Sequence, residues 1–291
     1  MRVARALGSA LVLLSLLAVH AFARPGARAT VTQATEVFQG DIVAIKIPGV
    51  GLTTVEGRMG KATVPFYWRP NGYYTALVGA DLEAKPGSVT LTVKGTTSSG
   101  TERNSQVTLR IKPKSFKKES FSVATEFDQL SPETLERIRN DQEEFSRTFM
   151  SSLPEPLWEG AFVLPLSSEV TSPFGYRRII NGTPRAPHTG VDLKAALGTP
   201  VVAANHGRVA LVGDFFFSGH SVVLDHGGGL HTVYFHLAEY KVETGAPVRK
   251  GDVIGLSGMT GRVTGPHLHW GARINGARVD PFELLNKLGQ F

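Results

Sequence analysis

Glycine sets the first limit on what this chain can fold into. In its C-terminal part Gly198, Gly207, Gly213, Gly219, Gly245, Gly251, Gly255, Gly258, Gly261 and Gly265 punctuate the sequence. A residue that costs a helix interior about 1 kcal/mol relative to Ala, and that readily takes the positive φ of tight turns, leaves room there for short strands rather than helices. The segments between these glycines, 201–204, 207–213, 221–225 and 230–236, are apolar or alternating and read as strands.

The N-terminal part reads as strands too. Residues 41–47 are largely apolar, and 88–93 and 106–111 alternate apolar with polar, as half-buried strands do. Turn residues cluster at 49–51, 70–72, 86–87 and 98–100. Seven or so strands in this span predict an immunoglobulin-like sandwich. It contains no histidine and no catalytic constellation.

Between the two β regions lies a charged stretch with one helix signal. Ser131 is placed as an N-cap, Pro132 as the first helical residue and Glu133 in the first turn. Leu135, Ile138, Phe145 and Phe149 form an apolar stripe on a helix expected to end near Met150, before Pro154 and Pro156. Ahead of everything, Arg2 and Arg5 precede an apolar run, 6–19, and a small-x-small site at Ala21–Ala23. That pattern predicts a secretory leader, too short for a stable membrane span. The chain therefore reads as 1–23 signal peptide, 24–116 sandwich, 117–160 helical connector and 161–291 a Gly-rich antiparallel β domain, mainly β overall.

The absence of cysteine excludes disulfides and lipidation of an N-terminal cysteine. The formal charge of +6 becomes +4 without Arg2 and Arg5. Its basic residues are scattered and match no nucleic-acid motif; the excess suits an anionic surface or merely a solvated one.

Histidine carries the functional signal. Eight of the nine histidines lie between His188 and His269. His188 and Asp192 stand four apart, while His267 and His269 share one face of a strand because side chains alternate. Imidazole and carboxylate are the usual ligands of a catalytic zinc with three protein ligands. Neither pair is specific alone; both together, on either side of the segment 234–237, are.

The segment from about Pro165 to Pro281 resembles the lysostaphin/LytM-type zinc metalloendopeptidases, peptidase family M23. The match runs in order through 172–177, 188–192, 198–201, 225–227, Tyr234-Phe235-His236-Leu237, 248–252, 258–261 and 265–269. The family often carries an acidic residue two places after the last ligand, where this chain has Gly271. The resemblance implies one Zn2+ per chain on His188, Asp192 and His269. His236 and His267 would be unliganded catalytic imidazoles beside it, sharing proton transfer and oxyanion stabilisation. It further implies hydrolysis of peptidoglycan peptide cross-links, either D-Ala–diaminopimelate bonds or glycine-rich bridges. The plain Sec-type leader and the lack of a cell-wall-targeting repeat favour the D-Ala type in a Gram-negative periplasm, and an exported, periplasmic or extracellular, wall-associated protein. The alternative is a non-catalytic activator or scaffold of cell-wall amidases. The connector and the N-terminal region, through Phe145, Phe149 and Trp158, are candidates for intramolecular regulation. Among the other residues, Tyr234 is either a substrate contact or a packed strand residue. His226 is expected in a turn or strand. His206, His220 and His231 are expected at the surface or groove, and Arg177 and Arg178 at the substrate or in solvent.

Overall fold

The computed structural model describes residues 17–18, 29–30, 35–121 and 130–288. The expected leader lies outside them apart from Leu17–Ala18. The N-terminal strands are β1 (Leu17–Ala18), β2 (Ala29–Thr30), β3 (Thr35–Phe38), β4 (Ile42–Pro48), β5 (Leu52–Met59), β6 (Ala62–Pro65), β7 (Tyr67–Arg69), β8 (Tyr73–Gly79), β9 (Gly87–Thr97) and β10 (Glu102–Lys112). They form two sheets, ordered β1-β4-β8-β7 and β2-β10-β9-β5-β6, with β3 pairing β10 in parallel. Ile45, Ile47, Ala76 and Val78 of the first sheet share a core with Leu91, Val93, Val107 and Leu109 of the second.

β8 does not alternate with polar residues, and its burial explains why. All of Thr75–Gly79 is buried. Ala76 and Val78 face the second sheet, while Leu77 joins the core of the C-terminal domain. The first sheet is thus a middle layer covered on both sides, the situation that favours continuous apolar runs.

Next come β11 (Lys118–Phe121) and α1 (Pro132–Met150). Ser131 caps the helix, its Oγ accepting from the Thr134 N–H at 3.2 Å, with Pro132 in the first turn. The C-terminal domain comprises β12 (Val170–Ser172), β13 (Arg177–Ile180), β14 (Thr183–Pro184), β15 (Gly190–Lys194), β16 (Pro200–Val202), β17 (Gly207–Phe215), β18 (Gly219–Asp225), β19 (Leu230–Tyr240), β20 (Pro247–Val248), β21 (Val253–Ser257), β22 (His267–Ile274), β23 (Ala277–Val279) and α2 (Phe282–Lys287). Its main sheet runs β12-β15-β22-β19-β18-β17-β20. One face, with Val222, Leu224, Tyr234, Leu268 and Trp270, builds a core continuous with Ile42, Tyr67, Leu77 and Leu82 of the N-terminal region. The other face carries Leu211, Phe215, Val223 and Val233, against which Phe145 and Phe149 of α1 pack.

The connector is therefore docked from α1 onward. Arg137 pairs with Asp214 at 3.3 Å, and Asp141 accepts from the Phe216 N–H at 2.7 Å. After the helix, Asp225 accepts from Ser152 Oγ and the Leu153 N–H, both at 2.7 Å. Trp158 is buried edge-on against Tyr67, ring centroids 5.7 Å apart. It packs in the core that the two β regions share. Among the described residues no helix is long and apolar enough to cross a membrane.

Candidate metal centre

The three-strand core of the site is β15, β22 and β19. β22 lies between the other two, with Asp192 and Phe235 both directly opposite His269. His267 and His269 share a face, as period-2 alternation requires. His188 sits just before β15, where its N–H donates to the Tyr176 carbonyl at 2.9 Å.

The side chains converge. His188 Nε2 is 2.9 Å from Asp192 Oδ1 and 2.9 Å from His269 Nδ1, and His269 Nδ1 is 3.0 Å from Asp192 Oδ1. His267 Nε2 lies 3.7 Å from the same Oδ1. The His236 and His267 rings are 4.8 Å apart. All five residues singled out by sequence meet in one cleft of ≈ 430 Å³.

His236 reaches this cleft through a break in the strand. Its φ is +63°, the left-handed region that non-glycine residues rarely adopt. Its N–H turns to the Ser218 carbonyl at 2.9 Å. Alternation is interrupted there, and Phe235 and His236 both approach the His269 ring, centroids at 5.2 and 6.1 Å.

Backbone carbonyls fix three of the four imidazoles. His188 Nδ1–H donates to Pro173 O at 3.0 Å, His236 Nδ1–H to Thr260 O at 3.0 Å and His267 Nδ1–H to Gly265 O at 2.9 Å. In each neutral ring the lone pair is then on Nε2. Ser172 Oγ adds a contact to His188 Nδ1 at 3.2 Å.

Burial lowers His269 to about 4 and His236 to about 3, the latter helped by the neighbouring His269. Burial pushes the Asp192 carboxyl up, but hydrogen bonding with His188 and His269 outweighs it and holds the group well below the usual carboxylate range. Near neutral pH an ionised carboxylate and the lone pair of at least one neutral imidazole meet at hydrogen-bond distance. A divalent cation satisfies such a donor set: tetrahedral zinc with bonds near 2.0–2.1 Å places its ligands about 3.3 Å apart. The residues present fit a metal ion.

The cleft is cationic at its rim. Arg178, Lys194 and Arg262 line it, while Asp192 is its one lining carboxylate among the described residues. Arg177 does not line it; its guanidinium lies over the Phe116 ring. β11 pairs in parallel with β13, extending the β13–β14 hairpin into a three-stranded sheet beside Arg178.

Other sequence expectations resolve differently. Tyr234 is fully buried, its hydroxyl accepting from the Ala204 N–H at 2.9 Å, so it packs rather than contacting substrate. His231, expected at the surface or groove, is fully buried beneath Phe149, ring centroids 5.8 Å apart. Alternation along β19 places it on the α1-facing side, which the sequence could not reveal without the helix. His226 is buried, its Nδ1–H donating to His206 O at 2.7 Å. Gly271 occupies the position where the family often has an acid; a Cβ there would lie 3.0 Å from Val233. Sequence reasoning assigned no role to Ser172, Lys194, Arg262 or Phe235. Their signal was only membership of, or proximity to, the ordered motifs.

The sequence model of peptidase family M23 matches residues 186–281. The DD-carboxypeptidase/endopeptidase Mpg of Neisseria meningitidis is 46% identical over 115 residues, 39% of this chain and 26% of that protein. The peptidoglycan DD-endopeptidase ShyA of Vibrio cholerae is 42% identical over 112 residues, 38% of this chain and 26% of that protein. The chain thus spans about a quarter of the length of these curated relatives. A crystal structure assigned to peptidase M23 from Pseudomonas aeruginosa is similar over 87% of this chain and 96% of its own, with TM-score 0.68 and 28% identity. With its ordered histidines and aspartate on a matching β scaffold, the C-terminal part of the chain carries a peptidase family M23 domain.

Proposed function

We propose that this protein is an exported zinc metalloendopeptidase, acting outside the cytoplasm on the D-Ala–diaminopimelate cross-links of peptidoglycan. The observation that carries the reading is the convergence of His188, Asp192 and His269 within 3.0 Å of one another, with His236 and His267 alongside in an open cleft. A non-catalytic scaffold would have no use for all five.

His188 Nε2, Asp192 Oδ1 and His269 Nδ1 would hold the zinc. When bound, zinc supplies Lewis acidity toward water and the scissile carbonyl. His236 and His267, with Nδ1–H anchored to carbonyls, each keep Nε2 free to accept a proton. One would take the proton of the attacking water and return it to the leaving amine; the other, protonated at Nε2, would steady the oxyanion. The choice of bond rests on charge. Stem peptides carry free carboxylates that Arg178, Lys194 and Arg262 can pair with, whereas glycine bridges carry none.

Digestion of purified muropeptides, read by mass spectrometry with and without chelator, tests both parts. Chelator-sensitive conversion of cross-linked dimers to monomers, with a pentaglycine peptide left intact, is expected. Cleavage of pentaglycine alone would overturn the bond assignment, and chelator-resistant cleavage would overturn the metal.

A further inference from the structure

His269 differs from the other three imidazoles of the cleft. They are each anchored by an Nδ1–H to a backbone carbonyl; His269 uses Nδ1 toward Asp192 and His188, and its buried Nε2 has no hydrogen-bond partner among the described residues. A ligand histidine is ordinarily oriented by a hydrogen bond from its remote nitrogen. Here packing must supply that restraint. The Phe235 ring lies nearly parallel to the imidazole, 7° between planes and 5.2 Å between centroids. Gly190 closes on the edge, where a Cβ would stand 2.7 Å from Nε2.

Phe235 is itself held from outside the peptidase sheet. Phe145 of α1 meets it edge-on at 5.5 Å and packs against Phe215 at 4.5 Å. Beside these rings is a cavity of ≈ 400 Å³ lined by Phe145, Phe149, Phe215, Phe217 and Phe235. Without the Phe145 ring, Phe235 has space to swing away from His269. α1 is in turn pinned to β17 and the residue after it by Arg137–Asp214 and Asp141–Phe216.

We propose that Phe145 is a positioning residue for the metal centre, acting through Phe235 to hold the His269 imidazole in its ligating orientation. This rests on the reading of His188, Asp192 and His269 as metal ligands. The helix before the peptidase domain thereby becomes part of the metal site, although it contributes no ligand.

The test measures zinc affinity of the full chain by chelator competition, and the visible spectrum of the cobalt-substituted protein. Phe145→Ala is expected to weaken zinc about tenfold, the lower end of what loss of an outer support costs, and to alter the cobalt bands, with kcat reduced more than KM. Phe145→Leu, which refills the volume, should recover most of the affinity. Phe149→Ala removes a ring that stacks on Phe145 at 5.9 Å and packs on His231 at 5.8 Å but, among the described ring contacts, makes none with Phe235; it should lose much less zinc affinity than Phe145→Ala despite a lowered melting temperature. Phe235→Leu removes the stacked ring without touching α1 and should reproduce the Phe145→Ala affinity loss even if that variant folds poorly. Wild-type zinc affinity and cobalt spectrum in Phe145→Ala or Phe235→Leu would overturn the proposal, as would an equal loss in Phe149→Ala. Failure of the wild-type chain to bind zinc at one equivalent would instead overturn the metal-site reading itself.

Discussion

At the scale of single residues the proposed function divides the site into groups that would hold metal and groups that would move protons, and substitutions should separate them. His188→Ala and Asp192→Ala each delete one corner of the 3 Å triangle, so metal content and activity should fall together; a full equivalent of zinc in either variant would contradict the assignment. His267 contacts the triangle only at 3.7 Å and has its own carbonyl anchor. His267→Ala should therefore retain zinc while kcat drops by about 10²–10⁴, and an unchanged rate would remove it from the mechanism. Gly190→Ala probes the edge of His269. Its Cβ would stand 2.4 Å from the Trp270 carbonyl and 2.7 Å from His269 Nε2, so β15 must shift from β22 and zinc affinity should fall; a variant with wild-type affinity would show that the strands have slack there. What was readable at this scale was chemical type and spacing: an HxxxD and an HxH need no fold to suggest a metal. The left-handed turn at His236 and the Phe235 stack were not readable, because both depend on how β19 departs from alternation opposite β22.

At the scale of elements, alternation and apolar runs located β9, β10, β17, β18 and most of β19, and the Ser131-Pro132 signal located α1. It could not say which face of the sheet the helix covers, since its stripe of Leu135, Ile138, Phe145 and Phe149 is equally suited to an isolated linker helix. That uncertainty is why His231 reads as a surface residue in sequence and proves buried in structure. The turn between β18 and β19 offers a measurable consequence of such burial. His226 is lowered to about 4 chiefly by burial, while the unfolded chain titrates near 6.5. Between those values the unfolded state binds a proton that the folded state does not. Stability from this group is therefore lost as pH falls from about 6.5 toward 4 and is flat outside that window. From pH 7 to pH 5 the loss is about 2 kcal/mol. His226→Gln, measured by urea unfolding at both pH values, should show a shallower decline than wild type by about that amount. The comparison cancels the contribution of the metal-site imidazoles, and equal declines would refute the buried-neutral assignment.

At the scale of the whole molecule, the sequence suggested two β regions joined by a connector, and composition gave no sign that they share a core. The reason lies in β8, whose run of apolar residues serves both neighbours: Leu77 joins the peptidase core beside Ile42 of β4, while Ala76 and Val78 lie in the N-terminal one. Polar contacts lock the same surface. Arg278 donates to Asp81 through Nη2 at 2.6 Å and Nε at 2.9 Å and pairs with Glu83 at 2.9 Å, and Asn275 Nδ2 donates to Leu77 O at 3.0 Å. Burial raises the Asp81 carboxyl, but the Arg278 hydrogen bonds outweigh it and leave it net lowered. An interface that is both apolar and charge-paired couples the unfolding of its two sides. The described fold should therefore melt in one calorimetric transition. Arg278→Ala leaves the Asp81 carboxylate part-buried without its guanidinium, a loss of about 2 kcal/mol for a charged hydrogen-bonded pair, or roughly 4–8 °C in a domain of this size. The transition should stay single, because Leu77, Ile42 and the Tyr67–Trp158 contact remain. Two resolved transitions in the wild-type protein would show that the N-terminal sheets and the peptidase domain fold independently, and that the shared core contributes too little to bind them.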